Sequence, residues 1–489
     1  MFFTNASSSR FHKLPTIWRW FCKGLQWLFW GALGLLLVVI AINAFDEDLA
    51  PETIALLAAP PNPYSNEQNL YLAITGFDAP QGESPVAFGL EKVKEYEVGL
   101  EARLKDPRIA LEDLSKKNPQ LLSFKGEIDF CRPLQTSCWT KIESHKSEIE
   151  KLLDNNRELY QRYLALKGFT GYYDTATPSV YSPLVPVSPS PQIRSLFLAN
   201  FAVQMKSQNL HQQKVALSDL DRDIQVWRDM LVGDGSLLSK MLAVALLESD
   251  YLMLADMIGD STINLSNFST ELDHIVMPFE QVDWKIGKVF AFEIKALTSG
   301  IDTLDRVVGT QIDIRNELTG NAPKWWECYW VRFQLHFYKT RATKNLFANG
   351  IKQVINAADA KSESVSVARH AYSTWFRENL SLGFNLAYNP SGKAVLAFTL
   401  PKYKNYPLRA YDVAAIQRLV KLSYEIRRQK IDAKEIPIFI QQHPEWATHP
   451  VSGQSFSWDA EKSEIAMKPV GEQPEGSRFK ISVWQHKKN

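Results

Sequence analysis

The chain has 489 residues, of which 45% are hydrophobic and 12% aromatic, with 55 Lys and Arg against 54 Asp and Glu. That length and apolar content allow a large buried core, divided among two or three domains or drawn out as one extended helical array. A formal charge of +1 lacks the basic excess of an extended nucleic-acid surface, so nucleic acid is excluded as an expected partner.

Residues 1–23 form a basic leader carrying Arg10, Lys13, Arg19 and Lys23. Gly24–Ala44 follows without a single charged residue. At about 1.5 Å per helical residue it spans roughly 30 Å, the thickness of a bilayer's hydrocarbon core. A cleaved secretory signal has a shorter apolar stretch ending in small residues at the cut. Here the stretch ends Ala41-Ile42-Asn43-Ala44, and Cys22 lies before it, on the wrong side for a lipid-modified cysteine. A retained anchor, residues 24–44, is therefore expected. Trp20, Trp27 and Trp30 cluster at its inner end, where indoles favour the headgroup level. Basic residues stay on the cytoplasmic side, which predicts an N-terminus in the cytoplasm and the bulk of the chain beyond an inner membrane. That outer portion holds 51 basic and 54 acidic residues, a formal charge of −3.

Residues 45–65 read as a stalk, acidic at first (Asp46, Glu47, Asp48, Glu52) and then rich in proline, which stiffens a spacer. Residues 66–167 form an N-terminal helical region. Within it Asn69–Pro80 is a short apolar stretch ended by turn residues, read as a strand or extended packing segment. Val86–Leu104 and Thr140–Lys167 have helical spacing. Between them Cys131 and Cys138 flank a turn-rich loop; in an oxidising compartment their closure contributes about 2.5 kcal/mol by chain-entropy reasoning. The spacing is not Cys-x-x-Cys and no second ligand pair lies near, so a structural disulfide is expected over a redox or metal pair.

Residues 168–191 are proline- and serine-rich and read as a linker. Residues 192–436 form the main helical array. Ile193–Ser207, Ala216–Val232 and Ser236–Ile258 read as amphipathic helices separated by short breaks, hence antiparallel hairpins, with no self-similar period of a tetratricopeptide array. Further helices are predicted over Phe279–Leu297, Lys324–Ala357 and Asp412–Gln429, the last with Asp412 as N-cap. Cys328 reads as a buried free thiol. In residues 437–489, Ser455–Trp458, Glu464–Met467 and Arg478–Trp484 alternate as short strands of a β meander.

Four constellations bear on chemistry. The Glu248-Ser249 pair near the end of an apolar helix resembles that of lytic transglycosylases, in which a family glutamate is the acid/base on peptidoglycan. Only Glu248 maps onto that role, and the glycine-rich segment expected downstream is absent. His443 and His449 with Glu445 suggest a metal, but both histidines precede proline and stand six apart, not at the i, i+4 spacing of helical zinc ligands; no metal or cofactor is expected. Trp325, Trp326, Tyr329, Trp330 and Phe333, with Phe337, place aromatic planes on adjacent helical faces. Such a stripe either lies buried in the array or lines a groove for glycan or lipid. Arg418, Lys421, Arg427, Arg428 and Lys430 read as the solvent side and end of a helix, with docking to anionic lipid or an acidic partner as the alternative.

Asn69–Pro80, the Cys131/Cys138 loop, Ile224–Leu247 and His449–Asp459 resemble segments of uncharacterised single-pass envelope proteins of Gram-negative bacteria. The resemblance implies an inner-membrane anchor and a periplasmic body, and supplies neither catalytic residue nor substrate. The expected fold is mainly α: a transmembrane helix, an extracytoplasmic helical array and a small C-terminal β meander. The expected function is non-enzymatic, an envelope scaffold or binding protein with a protein or envelope-component partner. The alternative is a periplasmic hydrolase acting on peptidoglycan through Glu248.

Overall fold

The structure, a computed structural model, describes residues 16–58, 61–106, 109, 120–182, 191–278, 290–302, 329–330, 333, 335–358, 365–381, 384–471 and 476–484. Among the described residues it is mainly helical, with one small antiparallel sheet at the C-terminal end. Helix α1 (Thr16–Ile42) contains the stretch Lys23–Ile42, long and apolar enough to cross a membrane and with 0% of its most apolar window buried.

α2 (Pro51–Leu57) follows, then α3 (Leu70–Thr75). The expectation of a strand at Asn69–Pro80 is corrected here: its apolar core is a helix buried on every side. A short apolar stretch has no polar phase to tell the two periods apart. Asn69 decides the outcome, because its Oδ1 accepts from the Tyr71 amide at the helix start (3.1 Å) and from the Tyr173 amide (3.0 Å). α4 (Pro85–Lys105) lies against α3 at two glycines; a Cβ on Gly89 would stand 2.0 Å from the Leu72 carbonyl oxygen.

The helix expected over Thr140–Lys167 is two helices, α5 (Ile142–Asn155) and α6 (Arg157–Ala165). The break falls at Asn156, whose side chain accepts from the Lys125 amide (2.7 Å) and donates to the Lys125 carbonyl (2.9 Å). Cys131 and Cys138 stand at disulfide distance, both fully buried. Within the proline-rich stretch, Tyr172 is fully buried and the Tyr173 backbone bridges to Asp234.

α7 (Pro191–Met205), α8 (Leu210–Val232) and α9 (Leu237–Gly259) are joined by short turns, and α7 and α9 each pack on α8. α9 is not amphipathic: its buried residues lie on every face, Lys240, Glu248, Asp250 and Asp256 among them. A helix enclosed on all sides must satisfy its polar groups internally. α10 (Ser269–Ile275) and a helical segment 290–302 come next.

The single helix expected over Lys324–Ala357 is interrupted at 337–339, where the Lys339 amide bonds Asn389 Oδ1 (2.9 Å). Beyond lie α11 (Thr340–Ala358), α12 (Val365–Leu380), α13 (Pro390–Thr399) and α14 (Tyr406–Arg428). Asp412 is therefore inside α14 rather than at its N-cap; a proline in the first turn starts the helix earlier. Strands β1 (Ser457–Asp459), β2 (Glu464–Ala466) and β3 (Lys480–Ser482) form the expected meander, with Ile465 opposite Ile481 and both buried.

Two hydrophobic cores result. The larger joins α3, α5–α10, α14 and the sheet around α9. The smaller gathers Phe290, Ile294, Phe347, Ile351, Val354, Tyr372, Leu396 and Leu400, with Leu56 and Leu57 of α2 against it. Tyr403 touches both.

Candidate functional site

The interior of the larger core holds the densest ionisable chemistry. Arg194 on α7 bonds Asp223 on α8 and Asp250 on α9, and also donates to Tyr163 Oη (2.7 Å) and the Leu246 carbonyl (3.0 Å). Tyr163 Oη in turn donates to Asp223 (2.8 Å), as does Trp227 Nε1 (3.1 Å). Burial pushes both carboxyls up while Arg194 opposes it, and the two carboxylates outweigh the burial of the guanidinium and hold it protonated. One cation between two acids ties three helices together; it offers no exposed reactive atom. Lys240 Nζ donates to the Met230 (2.6 Å) and Gly233 carbonyls, closing the C-terminal end of α8. Burial pulls its pKa down to about 7 against the pull of Asp234 and Asp174.

Glu248, the sequence-predicted acid, is 5% exposed, and its Oε1 has no hydrogen-bond partner. Burial pushes its pKa up to about 8, Arg409 opposing and Asp412 reinforcing. A neutral carboxyl is the right form for a general acid, but enclosure inside the helix array keeps a glycosidic oxygen from reaching it. His449 is equally buried and lies against α14. Its Nε2 stands 3.0 Å from Asp412 Oδ1, while Nδ1 accepts from the Val451 (3.1 Å) and Ser452 (3.3 Å) amides. That pattern puts the proton on Nε2 and leaves neither nitrogen open for a substrate or metal. Asp412 also accepts from the amides of Val470 and Gly471. His443 instead stacks on Trp446, centroids 4.7 Å apart, and bonds Glu445 (3.1 Å). The two histidines thus serve separate surroundings, and among the described residues no three His, Cys, Asp or Glu side chains converge on a point that would hold a metal.

The basic set on α14 is not a solvent face. Arg418 donates to the Thr448 carbonyl, Arg427 reaches the Val483 and Asp260 carbonyls, and Lys421 and Arg428 flank the buried Glu425. Arg428 and Lys430 alone among the five are exposed. Lys430 takes a left-handed φ of 56° just past the helix end.

A second assembly lies where α1 leaves its apolar stretch. Asn43 is fully buried: its Nδ2 donates to the Ala387 carbonyl (2.7 Å) and its Oδ1 accepts from the Asn389 amide (2.8 Å). Asp46 then accepts from the Arg341 (2.8 Å) and Ala342 (3.1 Å) amides, a carboxylate placed on the N-terminus of α11 where orphan donors and the helix dipole favour it. Arg341 pairs with Asp48 (2.8 Å), Asn345 Nδ2 donates to Glu47 (2.7 Å), Ala50 donates to Asn345 Oδ1 (2.9 Å), and Lys352 pairs with Glu52 (2.9 Å). The acidic half of the stretch read as a stalk is therefore bonded along α11.

Of the aromatic stripe, Trp325 and Trp326, like Cys328, lie outside the described residues. Tyr329 (66% exposed), Trp330 (55%) and Phe333 (40%) are at the surface, not within the array. Trp330 stacks on Phe333 with centroids 5.8 Å apart, and Phe333 meets the buried Phe337 edge-on at 4.9 Å. His336 Nε2 stands 3.3 Å from the Ile40 carbonyl oxygen. Sequence reasoning found these rings, but it missed Asn43 and Asn389, whose only local signal is a pair of polar residues at element ends.

These features define a class: a mainly helical protein with, among the described residues, one exposed apolar helix of membrane-spanning length, joined to its body by the hydrogen bonds of Asn43. No known family, curated protein or solved structure matches the chain.

Proposed function

We propose that the chain is a single-pass inner-membrane protein whose N-terminus lies in the cytoplasm and whose helical body acts in the periplasm as a non-enzymatic scaffold or binding protein of the envelope. The observation that carries this is the exposed apolar helix fastened to the body through Asn43 and the acidic residues after it. An apolar helix of that length, left bare by its own body, is stable in lipid and not in water. The basic leader before it and the acidic residues after it favour this orientation. The resemblance to single-pass envelope proteins points the same way. A binding role is favoured because Asp223, Asp250, Asp412 and His449 are engaged in structural bonds, while the broad faces of a helical array suit protein contact. The enclosure of Glu248 works against a peptidoglycan hydrolase.

The test combines topology with partner capture. Alkaline phosphatase fused after residue 489 is expected to be active and a cytosolic fluorescent reporter dark; the reverse overturns the orientation. A photo-crosslinker at Val98 or Ile438, both exposed, is expected to trap one reproducible envelope partner in intact cells. Repeated failure at both positions, or loss of cellular function in Glu248→Gln, overturns the non-enzymatic binding reading.

A further inference from the structure

The contacts at the membrane exit run in register. His336 is level with Ile40, Arg341 and Ala342 with Asp46, and Asn345 with Glu47 and Ala50. The body thus follows the outgoing chain in the same direction, and His336 marks where it reaches the apolar helix itself. Leu33 and Ile40, seven residues apart and so on one helical face, are both half covered, whereas Leu35, Leu36 and Leu37 stay exposed. Cover on α1 is therefore partial, and His336 meets it at the Ile40 carbonyl. Tyr329, Trp330 and Phe333, just before His336, are exposed, and Trp330 stacks on Phe333.

From this juxtaposition we infer that Tyr329, Trp330 and Phe333 form a second membrane element, seated among phospholipids at the headgroup–acyl boundary beside the last turns of the anchor. The inference rests on the anchor reading above. Three arguments select lipid as the occupant. The rings lie a few residues before His336, which meets the Ile40 carbonyl of an apolar stretch whose side chains are mostly exposed, so a bilayer that covers one reaches the other. Trp and Tyr present a broad apolar plane with a polar tip, the combination favoured at that depth. The charged residues just beyond His336 are tied into the body: Asp46 accepts from the Arg341 and Ala342 amides, and Asp48 pairs with Arg341. The body would then touch the membrane at two points and would not swivel about α1.

Electron paramagnetic resonance on the full chain in phospholipid nanodiscs tests this. Cys22 and Cys328 are replaced by Ala, and a nitroxide is placed in turn at Trp330→Cys, Phe333→Cys, Leu36→Cys and Ile438→Cys. Collision with oxygen, which partitions into lipid, is compared with collision with a water-soluble nickel chelate. The expected result is several-fold greater oxygen than nickel collision at 330 and 333, as at 36, and the reverse at 438. Nickel exceeding oxygen at 330 and 333 while 36 remains in lipid overturns the second element and spares the anchor. Neither reagent reaching 330 or 333 places the rings against protein and also overturns it. Nickel reaching 36 overturns the anchor and this inference together.

Discussion

Glu248 shows what a single buried carboxyl does to the protein's response to pH. Its pKa stands at about 8 in the fold against 4.5 for the unperturbed group, because burial disfavours the anion. A raised carboxyl pKa contributes stability fully present below pH 4.5 and lost as pH rises through about 8, since the unfolded chain releases its proton first. Glu248→Gln keeps the shape without the proton. It should stabilise the protein by on the order of 3 kcal/mol at pH 8 and by nothing measurable near pH 4, in urea melts at the two pH values. Equal effects at both would mean that the carboxyl does not titrate with folding. The Arg194 triad is the opposite case: its charges are paired, so removing the arginine alone would strand two buried acids.

At the scale of elements, the close approach of α3 and α4 depends on the missing side chain at Gly89. In an ordinary exposed helix Gly→Ala gains about 1 kcal/mol. Here the added methyl would overlap the Leu72 carbonyl at 2.0 Å, so the sign reverses. Gly89→Ala should cost about 3 kcal/mol by overpacking, read as a shift in denaturant midpoint with unchanged slope. The same logic of specific backbone contact explains the element boundaries. Pro85 opens α4 and Ser84 caps it through the Ala87 amide, both of them local signals that the sequence reading of Val86–Leu104 passes over. The break at Asn156 has no such local signal, because its partner Lys125 lies thirty-one residues away. A polar residue between two apolar stretches of one helical phase looks continuous until that partner is known.

For the whole molecule, the consequential feature is the joint between α1 and the smaller core. A free proline-rich spacer would leave the body loosely tethered. The bonds from Asn43, Asp46 and Asn345 instead couple α1 to α11 and to the residues before α13. Asn43→Leu removes both cross-links to 387 and 389 and strands the part-buried Ala387 carbonyl and the buried Asn389 amide. In nanodiscs, peptides covering 384–392 should exchange amide hydrogens at least several-fold faster in that variant, with α9 protected as before. No change would mean that the joint carries no constraint.

The sequence by itself determined the features that neighbouring residues decide. A charge-free stretch long enough for a bilayer, helical phase over α4, α7 and α8, and alternation in the C-terminal strands each follow from side chains within a few positions of one another. The rings at 329, 330 and 333 were legible for the same reason, as a spacing. Only the tertiary structure decided which of these faces is bare, why α9 is enclosed with its acids and lysine, that Glu248 is buried with an unpartnered oxygen, and that His449 is held in internal hydrogen bonds. Those outcomes depend on groups brought together from distant parts of the chain, Asn43 with Asn389 or Asp412 with His449. Burial raises the energetic weight of such pairs without leaving any periodic mark on the residues between them.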